Sequence, residues 1–497
     1  MFKNFHGFNI LEKLQKDKSH KRERKLPLNL MKFIVIAVIS IGVAMLPTTF
    51  FGIEGLTDVH QRIIALFLFA ALMWLTESMP SWVTSMIVVT VMLLTVSTSA
   101  FNFLRPENNA GLVPFKSIMA CFANPTIMLF IGGFVLAIGL TKVKLDVALA
   151  RVLLKPFGTQ SEIVLLGFIL VTAIFSAFVS NTATAAMMLA FLTPVLRSLP
   201  ADGKGRIALA LAIPIGANLG GMMTPIGTPP NMIALDYLSS QNMGISFVDW
   251  TIKMTPFVLV LLFLSWLLLR FMFPFKQKEI KIEIEGNIHW DFKTWSVVAA
   301  FAVTIFMWMF GTDLWGVDTN VVAMIPIAIF CATGILTRRD LEEINWSVLW
   351  MVAGGFALGV ALNYSDTNSA SLSSLIVESV PFDNFSPLVV MILAGLICFG
   401  FSNFISHSAA TSLLVPVLGV IAGGLGSALS EYGGAQAMLV GIAIASSVSM
   451  ILPISTPPNA IAHSTGFIEQ KNMVKVGLIL GILGLIIGYA MLVFFKF

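Results

Sequence analysis

Long apolar segments separated by short polar stretches make up most of this chain. Predominantly apolar runs cover 33–51, 61–79, 80–100 and 125–140. Each run is long enough for a helix that crosses a hydrocarbon core of about 30 Å. The alternating pattern that is typical of membrane β-strands is absent from the sequence, so the pattern predicts a polytopic helical protein.

A basic amphipathic segment and two short apolar arms follow the fourth run. Charged and apolar residues alternate over 142–155, which is typical of a helix lying in the membrane interface. The arms at 161–178 and 183–198 meet at Ser180-Asn181-Thr182 without a charged loop between them. This favours a re-entrant hairpin, although two ordinary spans joined by a tight turn remain the alternative.

The next apolar stretch is interrupted by prolines. Residues 206–222 and 229–243 flank Thr224-Pro225-Ile226-Gly227-Thr228, and 254–273 closes the first half. Proline frees backbone groups that find no water in lipid, so a broken helix at this depth is tolerated only where it lines a cavity. We therefore expect the break to lie at a binding site.

The second half repeats this plan. Ser406-His407-Ser408 corresponds to the first polar tip, Thr456-Pro457-Pro458-Asn459 corresponds to Thr228-Pro229-Pro230-Asn231, and the glycine pair 354–355 corresponds to 132–133. Paired interruptions in two halves of a membrane chain point to the substrate site of a transporter. An odd number of crossings in each copy would make the repeats inverted. The predicted elements are spans at 294–311, 318–336 and 344–363, an interfacial stretch at 364–380, hairpin arms at 386–403 and 408–425, a broken span at 435–468 and a last span at 473–495.

The composition agrees with a membrane protein. Hydrophobic residues make up 57% of the 497 residues and charged residues only 11%, against about 25% in soluble proteins. The net charge is only +4, but nine Lys and Arg lie in the first 32 residues. A basic flank before the first span places the amino terminus in the cytoplasm, and this explains the charge better than a nucleic-acid-binding arm does.

These patterns divide the chain into six expected parts. The linker is the clearest charged cluster after the amino terminus. The parts are a cytoplasmic basic segment at 1–32, first-half scaffold helices with the interfacial helix at 33–158, a first transport part at 159–273, a cytoplasmic linker at 274–293, second-half scaffold helices with an interfacial helix at 294–380, and a second transport part at 381–497.

The two tips and the two proline boxes offer hydrogen bonds without charge. Serine and threonine hydroxyls and the Asn181 amide can bond a carboxylate, and an arm that restarts after a tip aims free N–H groups at it. Two such tips favour a small anion with a negative group at each end. The expected binding residues are Ser180, Asn181, Thr182, Thr228, Pro229, Ser406, His407, Ser408, Thr456 and Pro457.

The same loops expose carbonyl and hydroxyl oxygens, which suit Na⁺. No other metal and no organic cofactor is expected, because the three cysteines are isolated from one another. The candidate ligands are Ser176, Ser180, Asn181 and Gly227 in the first copy, and Ser402, Ile405, His407 and Ser455 in the second.

With these motifs, and with Trp74-Leu75-Thr76-Glu77, the chain resembles the divalent anion/Na⁺ symporter family of dicarboxylate and citrate transporters. The resemblance covers nearly everything after residue 55. It implies a homodimer of eleven-span protomers, each with two re-entrant hairpins, and a transport domain that slides along a dimerising scaffold as an elevator. It also implies that both tips and both proline boxes hold the dicarboxylate, with Na⁺ beside the tips.

His407 departs from the family pattern, which has asparagine at this place, and this counts against the second Na⁺ site. Family members that exchange one dicarboxylate for another carry histidine near it. We therefore expect a plasma (inner) membrane antiporter of succinate, malate, fumarate, 2-oxoglutarate or citrate, for which Na⁺ is not required. Na⁺-coupled symport is the alternative.

Two other classes of protein fit the sequence less well. An intramembrane hydrolase could use Ser180 or Ser406 with His407, but no GxSxG or HExxH motif and no carboxylate near the histidine supports it. A channel would need rings of charge or a carbonyl filter repeat. We therefore expect a transporter and not an enzyme.

Overall fold

The computed structural model describes residues 29–200, 203–280, 289–380 and 385–495. Within these ranges the regular elements are helices, and extended pairing is limited to isolated bridges. The predicted all-helical fold class is confirmed. Most of the predicted basic segment, residues 1–28, and 281–288 of the predicted linker lie outside the described residues.

The helices form two groups, which we call the framework and the hairpin bundle. The framework comprises Leu30–Ala44, Asp58–Thr76, Ser81–Thr95, Phe115–Ala120, Pro125–Lys142, Leu145–Leu154, Phe292–Trp315, Thr319–Val322, Met324–Ala332, Arg338–Glu342, Trp346–Asn363 and Leu372–Ser379. The hairpin bundle comprises Ser161–Ser176, Asn181–Ser198, Gly205–Gly220, Pro229–Ser240, Phe247–Met272, Pro387–Ser402, His407–Leu425, Gly434–Ser447, Pro457–Ser464 and Gln470–Phe495.

Several helices are long and apolar enough to cross a membrane. Among the described residues seven meet both criteria, and a further set of shorter apolar helices has 10–17 residues each. The expected total of eleven spans stays a prediction. The seven are Asp58–Thr76, Phe115–Lys142, Phe247–Met272, Phe292–Trp315, Trp346–Asn363, His407–Tyr432 and Gln470–Phe495.

Two predicted spans are shorter than their apolar runs because of proline. The run at 33–51 forms a helix only to Ala44, and Pro47 then takes extended backbone before a 3₁₀ turn. The run at 318–336 is divided after Val322. Pro326 lacks the N–H that would bond the Val322 carbonyl, so the helical hydrogen-bond ladder is interrupted there.

The two copies exchange partners in the hairpin bundle. The helix after the first proline box, Pro229–Ser240, packs on the second arm of the second hairpin, His407–Leu425. In the reciprocal contact Pro457–Ser464 packs on the second arm of the first hairpin, Asn181–Ser198. This exchange brings both tips and both breaks together.

The glycine pairs let framework helices approach closely. A Cβ on Gly132 would lie 2.6 Å from the Ala323 carbonyl oxygen, and one on Gly354 would lie 2.4 Å from Ser85 Cβ. Such distances are below van der Waals contact, so these two positions require glycine. The duplicated motif therefore marks equivalent helix crossings in the two halves of the framework.

Candidate functional site

The first tip is held by a buried serine. Ser176 is fully buried, and its hydroxyl lies 2.7 Å from both the Asn181 Oδ1 and the Ala217 carbonyl oxygen. Ser180 caps the following helix by accepting a hydrogen bond from the Ala183 N–H. The Asn181 side chain is thereby fixed at the start of the second arm.

The second tip has the same cap but a different anchor. Ser406 accepts a hydrogen bond from the Ala409 N–H. His407 Nε2 lies 2.6 Å from the Ser449 carbonyl oxygen, which can only accept, so Nε2 carries a proton. Ser446 donates to the His407 carbonyl. The ring is thus tied to the broken helix beside it.

An asparagine closes each proline break. Asn231 Nδ2 donates to the Gly221 and Thr224 carbonyls at 3.1 and 2.8 Å. The equivalent Asn459 donates to the Met450 and Leu452 carbonyls at 2.9 and 3.1 Å. These bonds satisfy carbonyl groups that the proline-interrupted helices leave open. The duplicated Pro-Pro-Asn box therefore has a structural role of its own.

One buried side chain links the two copies. Asn218 Nδ2 lies 3.2 Å from Thr456 Oγ1 and 3.1 Å from Asn459 Oδ1. Asn218 lies before the first break, whereas both acceptors belong to the second proline box. The two boxes are therefore held in register with each other.

Both tips and both boxes open into one cavity of about 270 Å³, the tip cavity. Its lining contains no Asp, Glu, Lys or Arg among the described residues. All ten residues expected to bind substrate line it: Ser180, Asn181, Thr182, Thr228, Pro229, Ser406, His407, Ser408, Thr456 and Pro457.

Four helices of the hairpin bundle begin at the tip cavity. Their first residues are Asn181, Pro229, His407 and Pro457. The first turn of each helix has N–H groups without intrahelical partners and the positive end of a dipole. The cavity therefore attracts anions without a buried basic side chain.

The framework supplies a wall that sequence reasoning missed. Its polar part consists of Ser81, Asn345 and Ser347, and Trp82 lies beside them, with its ring 5.6 Å from that of Trp350. Pro80 and Asn345 are typical helix-start residues, so the sequence contained a signal for the part of this wall that lies at those two helix starts. Asn218, by contrast, lies within an apolar run with no such signal. The rest of the wall is Phe130, Gly133, Phe134, Val348 and Met351.

Three of the four residues in the first set of cation candidates, Ser176, Asn181 and Gly227, meet beside Gly221. A Cβ on Gly221 would lie 2.6 Å from Asn181 Oδ1 and 3.1 Å from the Gly227 carbonyl oxygen. Ser176 reaches the same Asn181 oxygen. Amide, carbonyl and hydroxyl oxygens of the kind that bind Na⁺ are therefore grouped there, with the Asn181 Nδ2 beside them.

The second set is arranged differently. Ser402 lies 3.3 Å from Ser446 Oγ, and Ser455 donates to the Asn403 carbonyl. The His407 N–H points at the Ser449 carbonyl, where the first copy has an amide oxygen near the equivalent Gly221. Ile405 is buried and contributes no side-chain oxygen. The second tip therefore presents an N–H to its broken helix, where the first tip presents an amide side chain.

A second cavity, the far cavity, has a volume of about 600 Å³. The helix Trp346–Asn363 lines the tip cavity as far as Met351 and lines the far cavity from Gly355 to its end, so about one helical turn, roughly 6 Å along the axis, separates the two linings. The far cavity is lined on the framework side by Asn124, Thr126, Asn320, Gly355 and Phe356.

Comparison with known proteins gives a consistent picture. The profile of a family described as citrate transporters matches residues 71–432. An uncharacterized transporter of Haemophilus influenzae is 31% identical, covering 85% of this chain and 89% of that protein. A sodium-dependent dicarboxylate transporter of Staphylococcus saprophyticus is 28% identical, covering 87% of this chain and 86% of its own.

Solved structures share the fold at low identity. The YdaH transporter of Alcanivorax borkumensis aligns with a TM-score of 0.57 and 11% identity, covering 88% of this chain and 99% of that one. At this identity the similarity concerns the fold alone.

Proposed function

Since the chain belongs to the citrate transporter family, we propose that it moves small di- and tricarboxylates across a membrane by exchanging one for another. The family inferred from the sequence motifs is confirmed, and the protein is a multi-pass membrane transporter and not an enzyme. The coupling, the substrate site and the mechanism are the parts that we propose.

The observation that carries the proposal is the convergence of four helix starts on an uncharged cavity. A carboxylate at each tip would accept hydrogen bonds from hydroxyls and first-turn N–H groups. The cavity has room for about nine water molecules, which suits a small organic acid. We assign substrate binding to the ten tip and box residues. Succinate, malate, fumarate, 2-oxoglutarate and citrate all fit this description.

His407 supports exchange over cation-coupled uptake. A symporter uses its bound cations to neutralise a dianionic substrate. A carrier that binds fewer cations moves its binding site across the membrane readily only when a substrate is bound. The His407 ring donates its N–H to the Ser449 carbonyl and has no oxygen to offer a cation at this tip, whereas Asn181 at the first tip has an amide oxygen. We infer that the loaded carrier moves in both directions, which gives obligatory counter-exchange.

Na⁺-coupled symport is the second candidate. The grouping of Asn181 Oδ1, the Gly227 carbonyl and Ser176 favours a cation at the first tip. A relative is named as a sodium-dependent dicarboxylate transporter. One cation would reduce the charge of a bound dianion without cancelling it.

An elevator movement is supported by the matching walls of the two cavities. Asn124 and Thr126 begin one framework helix at the far cavity, as Asn345 and Ser347 begin its counterpart at the tip cavity. Sliding the hairpin bundle along this wall would bring the tips to the equivalent surface at the other face. We therefore assign the scaffold to 33–158 and 294–380, and the transport domain to 159–273 and 381–497.

The setting follows from the same proposal. We place the chain in the plasma membrane with the residues before Leu30 in the cytoplasm, which makes the tip cavity face the cytoplasm. The 274–293 segment is then a cytoplasmic linker. We expect a homodimer formed through the scaffold. No nucleic-acid partner is part of the proposal.

A liposome assay with purified protein tests the function. Labelled succinate should enter vesicles preloaded with succinate and should not enter empty ones. Uptake into empty vesicles that depends on an imposed Na⁺ gradient would reject exchange in favour of symport. Failure of every carboxylate under both conditions would reject the substrate class.

Asn181→Ala, which removes the tip amide, should lower exchange at least tenfold, while the exposed Asn102→Ala provides the control.

A further inference from the structure

A single carboxylate lies where the hairpin bundle meets the framework at the far cavity. Asp236, on the helix Pro229–Ser240, accepts a 2.9 Å hydrogen bond from the Thr126 hydroxyl. The Asn124 amide lies beside the same carboxylate. Thr126 and Asn124 belong to the framework, so Asp236 bridges the two groups of helices.

Asp236 has no positive partner among the described residues that line the far cavity. It is the only Asp, Glu, Lys or Arg of that lining. The titratable groups that face it are the Cys121 thiol and the Tyr237 and Tyr364 phenols. The described helices packed on Pro229–Ser240 add only His407, which lies at the tip cavity.

The far cavity has room for water beside this carboxylate. Ser412 also lines the far cavity and is only 1% exposed, yet its hydroxyl has no hydrogen-bond partner among the described residues. A buried hydroxyl without a protein partner usually bonds an internal water. Water held in this cavity would be the source of protons for Asp236.

The carboxylate also breaks the symmetry of the two copies. The equivalent position in the second copy, the eighth residue of Pro457–Ser464, is Ser464, and it is exposed. When the hairpin bundle slides, Asp236 would leave the framework wall at one face of the protein. The Ser464 hydroxyl would then reach the equivalent framework wall at the other face. Only one of the two end states therefore places an acid against the framework.

We propose that Asp236 is a proton-binding site facing the far cavity, and that a proton bound there favours the arrangement described here over the alternative one. In this arrangement the carboxylate is partly buried beside two neutral donors. Neutral donors replace only part of the hydration that a charge loses, whereas a neutral acid keeps its bond to Thr126 at a smaller cost. The inference rests on the proposed sliding movement.

The test measures state populations and not transport, so the ionisation of the substrate does not interfere. Spin labels are placed on the full chain at Glu342 of the framework and Glu469 of the hairpin bundle, both exposed, in a Cys331→Ser background. Distances are recorded without substrate between about pH 5 and pH 8. The population whose label-to-label distance matches the arrangement described here should rise on acidification. Asp236→Asn mimics the neutral acid. In this variant the population should stay, at every pH, near the level that the wild-type protein reaches at acidic pH.

Two further variants separate protonation from a merely structural role. Thr126→Val removes a hydrogen-bond donor that stabilises the charged form of Asp236, so it should move the midpoint of the pH profile upward. This variant tests the proposal even if the Asp236 variant fails to fold. Ser464→Ala, at the equivalent exposed position, should leave the profile unchanged. A flat wild-type profile, or an Asp236→Asn profile with the wild-type midpoint, would overturn the inference. Retained succinate exchange in Asp236→Asn would show that the proposed function stands independently.

Discussion

His407 Nε2 lies 2.6 Å from the carbonyl oxygen of Ser449. In the first copy Asn181 occupies the equivalent place, and its Oδ1 lies against Gly221, the residue that corresponds to Ser449. One tip therefore presents an oxygen to its broken helix and the other presents an N–H. This difference separates two sites that the internal duplication would otherwise make alike.

The first prediction is that His407→Asn makes transport responsive to Na⁺. The amide would restore an oxygen at the second tip and free the Ser449 carbonyl, so a cation could be held there as at the first tip. We expect succinate uptake into empty vesicles to rise several-fold with an inward Na⁺ gradient, equivalent to about 1 kcal/mol of coupling.

The reverse substitution provides the comparison. Asn181→His should remove the oxygen at the first tip and abolish any Na⁺ response that the wild-type protein shows. Uptake by His407→Asn that is identical with and without the gradient would exclude a coupling role for the second tip.

The second prediction concerns the asparagines of the proline boxes. Asn231→Ala leaves two loop carbonyls without their donor, at a cost of about 1–3 kcal/mol. Asn459→Ala loses two similar bonds and also the acceptor for Asn218, so it should be the more destabilising. Thermal unfolding in detergent should rank them in that order. Equal melting temperatures would show that the Asn218 link contributes little.

The repeated motifs made the centre of the site predictable from sequence. Polar tips and Pro-Pro-Asn boxes stand out because each is costly inside an apolar segment, and their duplication identified the residues that now line one cavity. The starts of the four helices followed from the same motifs. Local composition was therefore sufficient wherever the backbone departs from a regular helix.

The remaining parts of the site depend on packing that local patterns do not encode. Asn218 and Asp236 lie on regular helices within apolar runs, and their partners are distant in sequence. Ser347 belongs to the wall only because its framework helix faces the tips. A single sequence does not reveal which helix faces meet, so these residues were missed. The proline at 326 was readable, but the predicted span at 318–336 ignored it.

The third prediction separates the two glycines of the first pair. Gly132→Ala would place a methyl group against the Ala323 backbone, which cannot move aside without shifting a helix, so we expect a loss of about 1–3 kcal/mol in stability. A Cβ on Gly133 would meet only Ile226 Cδ1, at 4.0 Å. Gly133→Ala should therefore unfold at nearly the wild-type temperature. Similar melting temperatures for the two variants would contradict the assigned packing.

The last prediction is a pH dependence of framework stability. Lys142 Nζ lies 2.5 Å from Asp340 Oδ2 and also donates to the Ile335 carbonyl. Partial burial opposes ionisation of Asp340, but hydrogen bonds from Lys142 and Thr337 outweigh it and lower the pKa of this carboxyl below its usual range. Its stabilising effect should therefore be complete above the unfolded-state pKa of about 3.9 and disappear as the pH falls through the lower folded-state pKa.

Asp340→Asn removes this effect while keeping the size of the side chain. At neutral pH it should lower the free energy of unfolding by about 1–2 kcal/mol, since Lys142 is partly exposed. The difference from the wild-type protein should shrink as the pH falls below about 4. The exposed neighbour Glu343→Gln makes the same change in charge without this partner and should leave the melting temperature nearly unchanged at both pH values. A difference for Asp340→Asn that stays constant with pH would mean that packing, and not the ion pair, stabilises this corner of the framework.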